Sequence, residues 1–255
     1  MNNLAILTLN CQKAYHPDLP TFLEKTLSSE KYDFLLLQEV TPTIISTIIN
    51  VTSSYKILNP FDSILGDTTG VCILYKEKFS LTTPLFISFA KIYRKIAPAA
   101  WGCVAGIFES GDQKYLISSL HLHAGLNFRV RMKELRLVKY MLKRYVGQGM
   151  TIIFGGDFNT GFPKELVIAK QMFSSSFKRV NKKLGATLNS RYTEKAPFIL
   201  NKISVFLAKF GIGFTFRTDH FFVDMKTVAE KIITCSILPD RVSDHNPVEL
   251  VINSH

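Results

Sequence analysis

The chain has 255 residues and a formal net charge of +11, with 31 Lys and Arg against 20 Asp and Glu. Apolar residues make up 47% and charged residues 20%, which excludes a disordered chain and leaves enough apolar mass for one large core. The positive surplus points to a polyanionic partner, without choosing among nucleic acid, an anionic membrane face and a phosphorylated small molecule.

Cys11, Cys72, Cys103 and Cys235 have no metal-type spacing and lie mostly in apolar runs, so buried free thiols are expected. The opening MNNLAILTLN lacks a basic n-region and a full apolar h-region, and no run approaches transmembrane length. The expectation is a soluble, cytoplasmic protein, a single domain over 1–255, with no obligate protein partner.

In chain order, short runs rich in β-branched and aromatic residues predict strands at Leu4–Leu9, Phe34–Leu37, Val71–Tyr75, Val104–Phe108, Tyr115–Leu120, Thr151–Phe154, His220–Val223 and Val248–Ile252. Helical patterns cover Thr21–Ser28, Thr43–Asn50 and, most clearly, Arg129–Val146, where Leu135, Val138, Met141, Leu142 and Tyr145 recur at three- and four-residue spacing. A Glu-Ser-Gly-Asp-Gln turn between Phe108 and Tyr115 predicts a hairpin. Strands and helices alternate irregularly, which predicts an α/β protein with mixed sheets. Residues 160–215 show little pattern beyond a basic loop, Lys178–Lys183, and an apolar stretch, Pro197–Phe210.

Several predicted strands end in polar groups. Asn10 follows the first, Gln38-Glu39 the second, and His121 closes Tyr115–Leu120. Gly155-Gly156 leads to Asp157-Phe158-Asn159, and Ser243-Asp244-His245-Asn246-Pro247 precedes the last strand. Ligands of α/β sheets bind at the carboxyl ends of strands, so one polar group per strand is how a site would be assembled there. The residue types suit one reaction. Glu39 and Asp244 could hold a hard divalent cation. Asp157 with Asn159 could activate water, and His245 could meet charge developing on phosphorus. The two glycines ahead of Asp157 would let the backbone approach a ligand.

Leu36-Leu37-Gln38-Glu39-Val40, Gly156-Asp157-Phe158-Asn159 and Ser243-Asp244-His245-Asn246-Pro247-Val248 resemble three signatures of the endonuclease/exonuclease/phosphatase superfamily. Asn10, Ser119-Leu120-His121-Leu122 and the strand Phe216-Arg217-Thr218-Asp219-His220-Phe221-Phe222-Val223 add three more, in the family's order. The resemblance implies a deoxyribonuclease I-like four-layer α/β sandwich with two central mixed β-sheets and a Mg²⁺ site at one end, Mn²⁺ being a possible substitute. It implies Glu39 as metal ligand with Asn10 and Asp244, and Asp157 as the group that positions the attacking water with Asn159. It implies His245 on the scissile phosphate, held by Asp219, and His121 near the leaving group.

Val40-Thr41 departs from the Thr-Lys of abasic-site nucleases, and the signatures of inositol polyphosphate 5-phosphatases are absent. The form looks more like tyrosyl-DNA phosphodiesterases, sphingomyelinases and small bacterial members. The expected function is Mg²⁺-dependent phosphodiester hydrolysis, with nucleic acid as the first substrate class. A phospholipid phosphodiesterase or phosphoinositide phosphatase acting on membrane lipid is the alternative, and a non-catalytic nucleic-acid-binding module is a third.

His123, on the same strand face as His121, is expected to be structural, with a second phosphate contact as the alternative, and His220 is expected to point away from Asp219. Trp101 is expected in the core or lining the groove. Arg129–Val146 and Lys178–Lys183 are by default solvated basic faces. If the substrate is nucleic acid, Lys178 to Lys183 and the start of the basic helix are expected to border the site mouth. Pro197–Phe210 is expected to pack in the core, and to lie exposed beside the site if the substrate is lipid.

Overall fold

The computed structural model describes residues 3–12, 16–59, 70–89, 102–123, 127–160, 163–180, 187–189, 215–216 and 218–253. Trp101 and the Pro197–Phe210 stretch lie outside them, as do residues 181–183 of the basic loop.

One six-stranded sheet has the order β13-β14-β1-β2-β4-β3. It comprises β1 (Leu4–Asn10), β2 (Phe34–Val40), β3 (Tyr55–Leu58), β4 (Gly70–Lys76), β13 (Ile232–Ile237) and β14 (Val248–Asn253). The other has the order β5-β6-β7-β8-β12-β9. Its strands are β5 (Ser80–Ser88), β6 (Gly102–Ser110), β7 (Gln113–His121), β8 (Thr151–Asp157), β9 (Phe177–Arg179) and β12 (Asp219–Asp224). A two-residue ladder joins β10 (Leu188–Asn189) to β11 (Thr215–Phe216).

Each large sheet is antiparallel except for one central parallel pair, β1 with β2 and β7 with β8. A parallel pair needs a crossover, and helices supply both. They are α1 (Leu19–Ser28) between β1 and β2, and α3 (Phe128–Lys143) between β7 and β8. Among the described residues the remaining helices are α2 (Pro42–Val51), α4 (Pro163–Phe173) and α5 (Met225–Glu230). The crossovers bring the carboxyl ends of all four parallel strands to one end of the molecule.

Alternation along the strands produces three cores. Ile6, Phe34, Leu36, Ile73, Phe108, Ile117, Ile153 and Phe221 meet between the sheets. Leu7, Leu9, Leu35 and Leu37 face outward onto α1 and α2, where Leu19, Leu23, Leu27, Ile44 and Ile48 complete the contact. On the opposite side Leu120, Phe154 and Phe222 pack against Leu135, Val138 and Leu142 of α3 and Phe173 of α4. Phe154 and Phe222 stack with ring centroids 4.9 Å apart. The result is the expected four-layer α/β sandwich around two mixed sheets.

The predicted helices are found with small shifts at their ends. Tyr145 lies beyond the end of α3 and packs against that outer cluster half-buried. Three of the four free cysteines are buried, and burial pushes the Cys72 and Cys103 thiols up to about 12. Among the described residues no helix is long and apolar enough to cross a membrane.

Candidate active site

Strand register brings the site together. In the second sheet His121 pairs with Asp157, and Asp157 with Asp219. Three chemistry-bearing residues thus form one row across β7, β8 and β12. In the first sheet Asn10 pairs with Gln38, and both side chains face the second sheet. Gln38 Nε2 donates to Ser119 Oγ at 3.0 Å, and Asn10 Nδ2 donates to Asp157 Oδ2 at 3.0 Å.

Glu39 reaches this face by a backbone device. Strict alternation would point it outward, opposite to Gln38. A bulge between Leu37 and Val40 interrupts the pairing with β4, and Glu39 takes φ +52. Beyond the bulge Val40 packs in the outward core, so the alternation has been reset. The Glu39 carboxylate accepts from Asn10 Nδ2 at 3.3 Å and lies 3.8 Å from His121 Nε2. A non-glycine residue held at positive φ is strained, and such strain collects at functional sites.

Asp157 is 1% exposed. Its Oδ1 accepts from the Asn159 N–H at 2.8 Å. Asn159, also at positive φ (+48), donates its amide to Leu122 O at 2.8 Å. His121 Nε2 is 3.6 Å and His245 Nε2 3.7 Å from Asp157 Oδ2. Burial, joined by the Asp219 charge, raises the Asp157 carboxyl above the ordinary range against the pull of His245, His121 and the Asn159 N–H.

His245 Nδ1 and Asp219 Oδ2 are 2.8 Å apart. Burial works against the imidazolium, but Asp219, Asp157 and Asp244 around it prevail and hold His245 well above the ordinary histidine range. Burial would raise Asp219, yet His245, Thr187 and Thr218 hold it low. The Thr218 hydroxyl donates to Asp219 Oδ2 at 2.9 Å. The Asp244 carboxyl is raised by burial and then by Glu39 and Asp157, against His245 and the Ser243 hydroxyl. Its backbone N–H donates to Gln12 Oε1 at 3.2 Å.

All eight residues singled out in the sequence, Asn10, Glu39, His121, Asp157, Asn159, Asp219, Asp244 and His245, therefore gather at one end of the sandwich. Two sets within them have metal-binding chemistry. Asp157, Asp219 and His245 each offer an atom within 4.8 Å of the others. The short contact between His245 and Asp219 suits a shared proton better than a cation. Glu39, Asp244 and the Asn10 amide oxygen form an oxygen set, as a hard cation requires. Asn10 Oδ1 accepts one hydrogen bond, from the Gln12 N–H at 3.0 Å, which leaves it a second lone pair. Glu39 is more exposed at its side chain than Asp244, 21% against 10%, so a hydrated ion can approach from its side.

Further residues support the site. Arg131 and Glu134 are buried on the inner face of α3. Glu134 Oε2 accepts from the His123 N–H at 3.0 Å, and Arg131 Nη1 donates to His123 O at 3.1 Å. Leu122, whose carbonyl holds Asn159, is thereby fixed between His121 and this clamp. Charges three apart on an apolar helix face were the available signal. The clamp holds His123 by its backbone N–H and C=O, and His220 packs edge-on against Phe158 with Nε2 3.1 Å from Thr160 Oγ1.

Two expectations need correction. Gly156 serves the approach of β7, since a Cβ there would lie 2.1 Å from Leu120 O and φ is +134. Lys178 pairs with Val223, four residues along β12 from Asp219, so it sits toward the far end of the sheet and does not border the site.

No protein-family profile and no curated protein matches the sequence. Solved structures do match the fold. TDP2 from D. rerio, complexed with single strand DNA product, superposes with a TM-score of 0.77 at 16% identity over 100% of both chains. An endonuclease/exonuclease/phosphatase family protein from Bacteroides thetaiotaomicron gives 0.70 at 16% identity over 98% of both. The chain has the endonuclease/exonuclease/phosphatase fold. The Bacteroides thetaiotaomicron mannosyl-6-phosphatase Bt3783 shares it, with a TM-score of 0.69 at 16% identity over 97% of this chain and 98% of that one.

Proposed function

We propose that the chain is a divalent-metal-dependent phosphoesterase that hydrolyses a phosphodiester of nucleic acid by attack of water on phosphorus. The observation that carries this reading is the row His121, Asp157 and Asp219 meeting Asn10 and Glu39 across the two sheets. The net charge of +11 suits a polyanionic substrate, and the TDP2 structure of the same fold holds a single-strand DNA product.

In this reading Asp157 takes a proton from the attacking water. Burial makes it a better base than an exposed carboxylate. Asn159 and Asn10 fix its two oxygens, so the water is held in one orientation. His245, cationic and steadied by Asp219, faces the charge that grows on the phosphate oxygens. His121 stands on the other side of Asp157, where a leaving oxygen needs a donor. Glu39, Asp244 and Asn10 would hold Mg²⁺ or Mn²⁺, whose chemistry is neutralisation of the phosphate charge.

The test is a panel of single-strand DNA, duplex DNA, RNA, sphingomyelin, a phosphoinositide and a sugar phosphate. Turnover of nucleic acid is expected to vanish with EDTA and return with Mg²⁺ or Mn²⁺. Full turnover in excess chelator overturns the reading. Turnover of phosphomonoesters alone favours a phosphatase, a second reading supported by the mannosyl-6-phosphatase of the same fold. Turnover of the lipids alone favours a membrane enzyme.

A further inference from the structure

The sixteen residues of α3 carry six Lys and Arg and one acid, Glu134. Glu134 is buried in the clamp on His123 and leaves the outer face unscreened. Arg129, Lys133, Arg136, Tyr140 and Lys143 follow at steps of four, three, four and three, which makes one exposed stripe. Tyr140 is 73% exposed, far more than a tyrosine ring needs for solvation of its hydroxyl alone.

Beside the stripe runs the seam between α3 and α4. A groove of about 330 Å³ there is floored by Phe128, Met132, Ile168 and Met172 and rimmed by Arg129, Lys133 and Arg136. A second hollow continues it past Lys139 and Lys143 to Phe173 and Phe177. The stripe starts near the active end, because the early turns of α3 hold His123, two residues past His121. From Arg129 to Lys143 it extends about 21 Å, at 1.5 Å per residue, down the outside of the molecule.

We propose that this stripe and groove form an exosite for the flanking part of a single-stranded nucleic acid whose reacting phosphate lies at the active site. A line of cations beside the half-buried Phe128 ring and the exposed Tyr140 ring matches the two faces of an unpaired strand, its phosphates and its bases. A duplex hides its bases from such rings. A membrane would meet the rim cations while the groove's apolar side chains lay below them, out of reach. The exosite rests on the nucleic-acid reading of the active site and adds the strand's path and its unpaired state.

The test compares the wild type with the triple variant Arg129→Gln, Lys133→Gln, Arg136→Gln. Substrates are a single-stranded DNA of about 20 nucleotides and a trinucleotide, with the melting temperature read alongside. Loss of three phosphate contacts should flatten the slope of log affinity against log salt by about 2, at roughly 0.7 per contact for single strands. KM for the long strand should rise at least about tenfold. Turnover of the trinucleotide and the melting temperature should stay at wild-type values.

A wild type that cleaves single strands while the variant keeps its salt slope and KM overturns the exosite alone. Equal losses on both lengths also overturn it, since the charges would then act at the reacting centre. A wild type that binds phosphatidylserine vesicles and no oligonucleotide overturns both readings.

Discussion

Asp157→Asn separates the chemistry of the site from its scaffolding. The carboxylate accepts from two fixed donors, the Asn159 N–H at 2.8 Å on Oδ1 and Asn10 Nδ2 at 3.0 Å on Oδ2. An asparagine has one acceptor and one donor end. Either way round, its NH₂ faces another donor, so one buried hydrogen bond is lost. That costs about 1–3 kcal/mol. Removing a buried charge that Asp219 disfavours offsets part of it, so a loss of about 1 kcal/mol is expected, or about 2–4 °C for a chain of this size. The catalytic loss is larger, about 10²–10⁴-fold in kcat, because the water loses its base. Single-turnover hydrolysis with Mg²⁺ and thermal melting measure the two separately. A wild-type rate refutes the role given to Asp157. An unchanged melting temperature refutes the hydrogen-bond reasoning.

Gly156→Ala should lower stability by at least about 3 kcal/mol, since its Cβ meets the backbone of Leu120 and its φ is positive; wild-type melting would contradict the close approach of β7 and β8. Glu134→Leu should lower kcat by about 10–100-fold through displacement of the His121–His123 segment, and Glu134→Gln, which still accepts from the His123 N–H, should recover most of it. Equal kcat for the two variants would dismiss the clamp. The Ser118 hydroxyl is buried and has no hydrogen-bond partner among the described residues, so Ser118→Ala should be neutral or stabilising by up to about 1 kcal/mol in denaturant unfolding, and a loss above about 1 kcal/mol would mean a hidden partner.

The eight strands read from the sequence are the eight interior strands, and β3, β5, β9 and β13, which escaped it, are the four sheet edges. An interior strand is covered on both faces and reads as an apolar run. An edge strand is not. In β5 half-exposed and exposed residues alternate, with Pro84 in mid-strand, a residue that suits an edge and argues against a strand in a sequence. The site was legible for the same reason as the interior strands. Its residues terminate strong apolar runs, and register does the rest. The bulge at Glu39 was not legible, because Leu-Gln-Glu-Val carries none of the glycine or asparagine that usually marks a positive φ. Gln12 and Thr187 support the site across long sequence separations, which local pattern cannot reveal.

Four carboxylates, Glu39, Asp157, Asp219 and Asp244, share the end of the sandwich with one imidazolium. Burial and mutual repulsion raise Asp157 and Asp244, so their ionised forms oppose folding at neutral pH, while Asp219, held low, and His245, held high, favour it. Two features keep the cluster in place. The second sheet fixes the Asp157 backbone by register on both sides, with His121 on β7 and Asp219 on β12, which local repulsion cannot shift cheaply. Asn10 then lies between Glu39 and Asp157 and donates to both, so a neutral amide bridges two like charges. The negative charge left over is concentrated where the surplus of a +11 chain does not reach it. Under the proposed function, a site that is acidic within a basic protein would draw in a cation, while the basic exterior would draw in the polyanion on which that cation acts.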